Sequence, residues 1–414
     1  MKQIYIILSI LLALGCNAQD TIKVLFIGNS FTYVENMPDL FRNIAESAGY
    51  KVKIQMYAPG GVSVGDISQG TQAHMNNPVV YENIRSDKWD YVVLQDNQGR
   101  FVYDYGQFPS SSLVIQGHLQ IRDSVIKNNN CAKMVWFAGW GMKNGMPPYG
   151  NNGIEMIDRI AANYRFLNDS AHEIIAPIGE AWKRIIITNP AFDLWSQDET
   201  HPSLEGAFLT ANVIYATIFR DNPAYSLENG GLTAITADLL KQTAWQTLND
   251  SFPVTNLHSI TPELLFQNNQ FTAGNYQHYC WYQNMQWLPS ENTPILNIGL
   301  SGHYFLIALN NVGCRLKSMS QHLLITNVES NSSQLHYQLY PNPAQTTLYL
   351  ETSIDAAFPL TISFRNINAQ NLKMITLQNI SDLSIDVGDL CKGLYFIEIT
   401  DRNGKSVIKK MIIE

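Results

Sequence analysis

The chain has 414 residues, a length that predicts two to three domains. Lys and Arg number 27 against 35 Asp and Glu, so the net charge is -8, and the chain lacks the basic balance with which nucleic-acid-binding proteins neutralise phosphates. Charged residues make up 15% of the chain and hydrophobic residues 45%, a composition that excludes a disordered protein.

The N-terminal segment has the pattern of an export signal. Lys2 supplies a positive charge, and residues 4–14 form an apolar run that is too short to span a bilayer. We expect residues 1–19 to be a signal peptide; the alternative is a lipoprotein box with an acylated Cys16. No later segment has the length and apolar character of a transmembrane helix, so none is predicted.

Residues 20–252 alternate short apolar runs with segments of helical period. The pattern predicts strands at 23–27, 51–57, 90–95, 133–138 and 173–177, and helices at 37–49, 113–127, 154–166 and 204–219. Strands that alternate with helices indicate an α/β fold with a parallel sheet covered on both faces. Ligands bind at the carboxyl ends of the strands in such sheets, so the residues after each strand are candidates for a site.

After residue 252 the helical period disappears. Short aromatic-rich strands bounded by Asn, Gly, Ser and Pro predict all-β structure instead. We expect one β domain at 258–326, a polar linker at 327–338 and a second β domain at 339–414, where Asn403-Gly404 forms a hairpin turn.

Four cysteines follow the signal segment, at positions 131, 280, 314 and 391. Disulfides persist in the oxidising compartments that an exported protein meets, although free buried thiols fit the sequence equally well. If one pair forms, we expect Cys280 with Cys314, because both lie in one strand-rich region. The cysteines have no CxxC pair and no histidine at zinc-ligand spacing, so no metal ion is predicted.

Ser30, Asp198 and His201 are candidates for nucleophilic catalysis. Ser30 follows the first strand at a turn into a helix, where backbone amides favour developing negative charge. Asp198 and His201 lie three residues apart, so the carboxylate can orient an imidazole that takes a proton from a distant serine. Taken singly, each motif also fits an ordinary helix cap or a solvated loop.

Other strand ends supply candidates for oxyanion binding and for a pocket wall. Gly60 and Gly61 allow a backbone N–H to approach a substrate, and the amide side chains of Gln95 and Asn97 can donate hydrogen bonds. Trp140, Glu180 and Trp182 follow two further predicted strands and could line the pocket. The two tryptophans fit a place in the core equally well.

In this order the motifs resemble the SGNH hydrolases, also called GDSL-type esterases. The four matching blocks are Gly28-Asn29-Ser30, Gly60-Gly61, Asn97, and Asp198 with His201. The resemblance implies a flavodoxin-like sheet, no cofactor, and a Ser30-His201-Asp198 triad that cleaves esters through an acyl-enzyme. It also implies an oxyanion hole at Gly61 and Asn97. Gly60 is the alternative to Gly61, and Gln95 is the alternative to Asn97 because the third block departs from the family pattern.

The downstream segments resemble two modules of exported bacterial proteins. Residues 258–326 are similar to Ig-like modules, which either bind carbohydrate or act as spacers packed around a core tryptophan. The Tyr340-Pro341-Asn342-Pro343 and Gly393-Leu394-Tyr395-Phe396 motifs resemble the C-terminal sorting domain read by the type IX secretion system of Bacteroidetes. This implies secretion or attachment at the cell surface, with the secretion machinery as a partner, and it disfavours lipoprotein anchoring at Cys16.

Together these resemblances imply a secreted serine ester hydrolase that removes acetyl or similar groups from polysaccharide. A non-catalytic carbohydrate-binding protein with the same fold is the alternative from another class. Lipase or thioesterase activity is a third possibility. Nucleic acid is not an expected partner.

Overall fold

The computed structural model describes residues 21–65, 72–102, 109–324, 337–352, 357–366, 370–379, 383–404 and 406–413. The predicted signal segment, Cys16 and most of the predicted linker lie outside these residues.

A five-stranded parallel sheet with the order β2-β1-β3-β4-β5 forms the centre of the N-terminal part. Its strands are β1 Ile22–Ile27, β2 Val52–Tyr57, β3 Tyr91–Leu94, β4 Lys133–Phe137 and β5 Ile174–Ala176. The strand order reverses between β1 and β3. In open α/β sheets the crevice beyond such a reversal is where ligands bind.

Helices cover both faces of this sheet, because successive side chains of a strand point to opposite faces. Val24 and Phe26 belong to the apolar cluster on one face, and Leu25 and Ile27 to the cluster on the other. The helices are α1 Ser30–Tyr33, α2 Met37–Ser47, α3 Pro78–Arg85, α4 Gln98–Phe101, α5 Pro109–Asn128, α6 Gly153–Ala171, α7 Ile178–Thr188, α8 Leu204–Phe219 and α9 Ala234–Ser251. The predicted α/β fold class is confirmed.

The region that follows, which we call the middle β region (residues 264–323), forms two antiparallel sheets. One has the order β10-β7-β6; the other has the order β12-β11-β8-β9, with β13 paired to β11. The strands are β6 Leu264–Gln267, β7 Gln270–Ala273, β8 His278–Gln283, β9 Gln286–Trp287, β10 Ile295–Asn297, β11 Gly302–Leu309, β12 Arg315–Lys317 and β13 Gln321–Leu323. Phe271 of the first sheet stacks on Trp281 of the second, with ring centroids 6.1 Å apart. Trp281 is fully buried, so it belongs to the core and offers no surface to a carbohydrate.

A disulfide joins the middle β region to the α/β part. Cys131, two residues before β4, is bonded to Cys314, which directly precedes β12. The expected pair of Cys280 with Cys314 is therefore wrong. Nearness in sequence favoured Cys280, but packing brings the turn that carries Cys314 against the loop before β4. The described residues up to 298, together with residues 302–322, form one compact unit.

The C-terminal residues form a second unit with two antiparallel sheets, ordered β14-β15-β18 and β17-β16-β19-β20. Its strands are β14 Tyr337–Tyr340, β15 Thr347–Thr352, β16 Leu360–Arg365, β17 Asn371–Leu377, β18 Ser384–Asp386, β19 Gly393–Thr400 and β20 Ser406–Ile413. Both sheets contribute to one apolar core that includes Leu348, Ile362 and Ile397. Asn403 and Gly404 lie between the paired strands β19 and β20, as the sequence predicted. Among the described residues, no helix combines the length and apolar character needed to cross a membrane.

Candidate active site

Ser30 occupies the turn between β1 and α1, at the reversal of strand order. The preceding Asn29 caps α1: its Oδ1 accepts a hydrogen bond from the Phe31 amide at 3.1 Å, and its Nδ2 donates to the Val62 carbonyl at 2.9 Å. Both bonds fix the backbone of the turn that places Ser30 at the carboxyl end of β1.

The structure brings Ser30, His201 and Asp198 into one hydrogen-bonded chain. The Ser30 Oγ atom lies 2.7 Å from His201 Nε2, and His201 Nδ1 lies 2.6 Å from Asp198 Oδ2. Ser30 and His201 are 171 positions apart in sequence, so only the fold makes this contact. The three residues are arranged as a nucleophile, a base and a group that orients the base.

The protonation of this chain follows from the surroundings of Asp198. Burial acts to raise the pKa of its carboxyl, but hydrogen bonds from the His201 side chain and backbone, the Thr200 amide and the Ser196 hydroxyl outweigh it and hold the pKa well below its usual range. An ionised carboxylate can only accept, so His201 carries its proton on Nδ1. The Nε2 lone pair is then directed at the Ser30 hydroxyl.

Three stacked or edge-packed tryptophans support the loop that carries Asp198 and His201. Trp140 stacks on Trp182 with centroids 4.1 Å apart, and Trp182 packs edge-on against Trp195 at 5.3 Å. The Trp140 Nε1–H donates to the Thr200 carbonyl at 3.0 Å, directly before His201. Trp140 and Trp182 are fully buried, so of the two alternatives the core applies: they pack behind the loop that carries Asp198 and His201 and do not line a pocket.

Gln95 is fully buried beneath the Ser30 turn and does not reach an open site. Its Oε1 accepts hydrogen bonds from the Asn29 amide at 2.7 Å and the Thr32 hydroxyl at 3.0 Å, while its Nε2 donates to the Asp96 carbonyl. The alternative in which Gln95 replaces Asn97 as an oxyanion donor is therefore disfavoured. Gly28 leaves room for this bridge, because a Cβ there would come within 2.5 Å of Gln95 Oε1.

Asn97 and Gly61, the two residues expected to form the oxyanion hole, approach each other. The Asn97 Nδ2 atom lies 3.5 Å from the Gly61 carbonyl oxygen, and Asn97 Oδ1 caps α4 by accepting from the Gly99 amide at 3.1 Å. Gly61 has a φ of +73°, a left-handed conformation that favours glycine, and Gly60 does not share it. The requirement for glycine in this turn thus falls on Gly61.

Asp96 binds both segments of the candidate oxyanion hole, the one that follows Gly61 and the one that contains Asn97. Asp96 was assigned no catalytic role from the sequence. It is fully buried, and its Oδ1 accepts from the Val64 amide at 2.7 Å and the Asn97 amide at 2.6 Å. Burial raises the pKa of this carboxyl to about 6, although the bonds from Val64 and Asn97 act in the opposite direction. No sequence pattern distinguishes such a buried carboxylate from one in an exposed loop.

Two other residues of the α/β part, His74 and Glu180, differ in how deeply they are buried. His74 is fully buried, and its Nε2 lies 2.8 Å from the Gly28 carbonyl oxygen. Burial lowers the pKa of this imidazole, so His74 is neutral and donates that hydrogen bond. Glu180, a candidate for the pocket wall, is half-buried in the first turn of α7.

Comparison with known proteins identifies the C-terminal part first. Residues 338–414 match the family described as secretion system C-terminal sorting domain. The tail prediction is thereby confirmed: the chain is an exported protein, delivered by the type IX route to the cell surface or the medium. No curated protein matches the chain.

Solved structures match the α/β part. A DUF4886 family protein from Bacteroides uniformis is 19% identical, with a TM-score of 0.48, and the match covers 58% of this chain and 99% of that one. An acetyl xylan esterase is 14% identical, with a TM-score of 0.38 and coverage of 48% and 100%. A member of the lipolytic G-D-S-L family from Veillonella parvula is 12% identical, with a TM-score of 0.33 and coverage of 47% and 96%. These are similarities of structure alone, and the activity of this chain has to be argued from its own residues.

Proposed function

We propose that this protein is an exported serine ester hydrolase of the SGNH type, with Ser30 as nucleophile, His201 as general base and Asp198 as the residue that orients the base. The observation that carries the proposal is the unbroken series of short hydrogen bonds from Ser30 Oγ through His201 to Asp198. A protein that only bound carbohydrate would have no need for all three.

In the first step, Ser30 Oγ attacks the ester carbonyl carbon while its proton passes to His201 Nε2. The proton already on Nδ1 stays hydrogen-bonded to the ionised Asp198, which stabilises the imidazolium. His201 then donates its new proton to the leaving alcohol, and the acyl group remains on Ser30. Water, deprotonated by the same imidazole, releases the acid and restores the hydroxyl.

The negative charge on the carbonyl oxygen in this step needs hydrogen-bond donors. We assign that role to the backbone N–H groups of Ser30 and Gly61 and to the side-chain amide of Asn97. Support comes from the approach of Asn97 to Gly61 and from the two bonds by which Asp96 holds Asn97 and Val64. Donors of this kind contribute about 3–4 kcal/mol each to the stability of the transition state.

We propose an acyl group carried by polysaccharide, such as an acetyl ester, as the substrate. Export places the protein where such polymers occur. The site is also open: the side chains of His201 and Asp198 are 29% and 51% exposed, so an ester on a bulky chain can reach them.

The experiment compares wild type with Ser30→Ala on p-nitrophenyl acetate and on acetylated polysaccharide. We expect Ser30→Ala to lower kcat by at least about 10³-fold, because removal of a triad member leaves only binding and oxyanion stabilisation. Ser86→Ala, at an exposed serine of the same domain, is the matched control and should keep full activity. Equal rates for wild type and Ser30→Ala would refute the triad. Hydrolysis of the small ester without release of acetate from any polysaccharide would refute the substrate class alone.

A further inference from the structure

Three side chains of the kind that ligate metal ions meet where the α/β part contacts the middle β region. Asp221 lies just beyond the C-terminus of α8, His303 lies on β11 and His322 lies on β13. One donor atom from each lies within 4.8 Å of the other two. Because they are spread over about a hundred positions, no sequence spacing indicates the cluster.

The two imidazoles converge on a single carboxylate oxygen. His303 Nε2 lies 3.1 Å from Asp221 Oδ1, whereas His322 Nε2 lies 3.8 Å from the same atom, beyond hydrogen-bond distance. This His322 nitrogen is buried and has no hydrogen-bond partner within the described part of the chain. A buried nitrogen without a partner is costly, so its orientation toward Asp221 needs an explanation.

The carboxylate is held from behind in the manner of a metal ligand. Asp221 is almost fully buried, and its Oδ2 accepts hydrogen bonds from the hydroxyls of Tyr50 at 3.0 Å and Tyr215 at 3.1 Å. These bonds fix the carboxylate so that Oδ1 faces the histidines. Outer hydrogen bonds of this kind orient ligating carboxylates and are a regular part of metal sites.

We propose that Asp221, His303 and His322 bind a divalent transition metal ion, with Zn²⁺ as the best fit. Zinc binds imidazole nitrogen and carboxylate oxygen at about 2.0–2.1 Å, which in a tetrahedral site separates the donor atoms by about 3.3 Å. The two measured nitrogen–oxygen separations, 3.1 Å and 3.8 Å, lie on either side of that value. The imidazole rings of His303 and His322 stack with centroids 4.1 Å apart, so the His322 ring turns when both lone pairs are directed at one ion. The side chain of His322 is 22% exposed, which gives the ion a path of entry and leaves room for water in the remaining position.

A different explanation is that positively charged side chains alone neutralise the carboxylate of Asp221. Lys317 is one of the cations that act on this carboxylate, and its Nζ is held by the Ser320 hydroxyl at 2.8 Å. A protonated His303 with Lys317 could neutralise Asp221 without an ion. In that explanation His322, whose ring stacks on those of His303 and Tyr225, only packs against the pair and adds to the positive charge beside Asp221. It leaves the His322 nitrogen without a hydrogen bond, and it predicts no metal binding.

The place of the site indicates what the ion does. Helix α8 begins two residues after Pro202, next to the catalytic loop, and Asp221 lies beyond its other end. A helix of 16 residues is about 24 Å long, so the ion is too far from Ser30 to take part in ester cleavage. Because Asp221 belongs to the α/β part and both histidines belong to the middle β region, the ion would join the two.

The test uses untagged protein that lacks only residues 1–19, freed of metal with a chelator and titrated with Zn²⁺ by calorimetry and thermal unfolding. We expect one equivalent of Zn²⁺ to bind and to raise the Tm. His322→Gln and His303→Gln should weaken binding by at least about 100-fold, and Tyr215→Phe, which removes one outer hydrogen bond, by about tenfold. The visible absorption of bound Co²⁺ gives a second readout that does not depend on stability.

The control is His258→Gln, at an exposed histidine outside the cluster, which should bind Zn²⁺ as the wild type does. Failure of the wild type to bind at micromolar Zn²⁺ would overturn the proposal. Unchanged binding in both His303→Gln and His322→Gln would do so as well, since the ion would then lie elsewhere. Neither outcome bears on esterase activity, which is tested separately through Ser30.

Discussion

Asp96 carries a buried negative charge beside the candidate oxyanion hole, and its removal should stabilise the protein in a pH-dependent way. The pKa of this carboxyl is about 6 in the folded protein, against an ordinary value of 3.8. Each unit of pKa is worth about 1.4 kcal/mol, so ionisation of Asp96 lowers the free energy of unfolding by about 3 kcal/mol once the pH exceeds both values. The sign follows from the raised pKa: the folded state holds the proton more tightly, and stability is lost as the pH rises from about 4 to about 6.

Asp96→Asn removes the charge but keeps an oxygen that can accept from the Val64 and Asn97 amides. We expect the variant to exceed wild type by about 3 kcal/mol near pH 8, by about 1.5 kcal/mol near pH 5, and by little below pH 4. Urea unfolding of both proteins at these pH values measures the difference. Asp169→Asn, at an exposed carboxylate on α6, is the matched control and should show no such trend.

A constant difference between Asp96→Asn and wild type from pH 4 to pH 8 would refute this explanation, because it would mean that the carboxyl does not titrate in this range in the folded state. A variant less stable than wild type at pH 8 would also contradict it. In that case the lost charge-assisted hydrogen bonds to Val64 and Asn97 would outweigh the cost of burying the charge.

Three further predictions concern the site and its support. Asn97→Asp keeps the oxygen that caps α4 but removes the amide donor, so kcat should fall by about 10²–10³-fold in steady-state ester hydrolysis, with little change in Tm. Near-normal kcat would exclude Asn97 from the oxyanion hole. Trp140→Phe leaves the Thr200 carbonyl without its donor and should lower the free energy of unfolding by about 1–3 kcal/mol in urea titration; an unchanged value would mean that water replaces the bond at no cost. Cys131→Ser removes the disulfide to Cys314 and should lower the free energy of unfolding by about 2–5 kcal/mol in the same assay. A free energy of unfolding equal to that of wild type would mean that this disulfide does not stabilise the fold.

The sequence predicted the five strands of the parallel sheet and helices α2, α5, α6 and α8, but it missed α7, although the buried residues of that helix are apolar. The predicted helix at 204–219 has the bounds of α8, whose described residues are nearly all buried, and the predicted strands agree with β1 to β5 within a residue or two. Helix α9 was not predicted, because its buried face includes Lys241, Thr243 and Thr247 beside the apolar residues. A stripe that mixes polar and apolar residues gives a weak helical signal.

For the candidate site, sequence motifs sufficed to select residues but not to assign their surroundings. Ser30, Asp198 and His201 were chosen from local motifs, and the structure brings them into contact. The burial of Gln95 and Trp140 depends on which elements pack above them, and a single sequence does not contain that information. The pairing of Cys131 with Cys314 was missed for the same reason, since 183 positions separate them.

The bond between Cys131 and Cys314 also determines what proteolysis can separate. Any single cut between these residues, for example in the stretch between α9 and β6, leaves two fragments that remain covalently attached until a reductant is added. The predicted linker at 327–338 lies after Cys314, so release of the sorting domain there would leave the bond untouched. An exported protein of this design would keep its α/β part and middle β region together after a single proteolytic cut between the two cysteines, and cleavage in the linker would remove only the tail that directed its export.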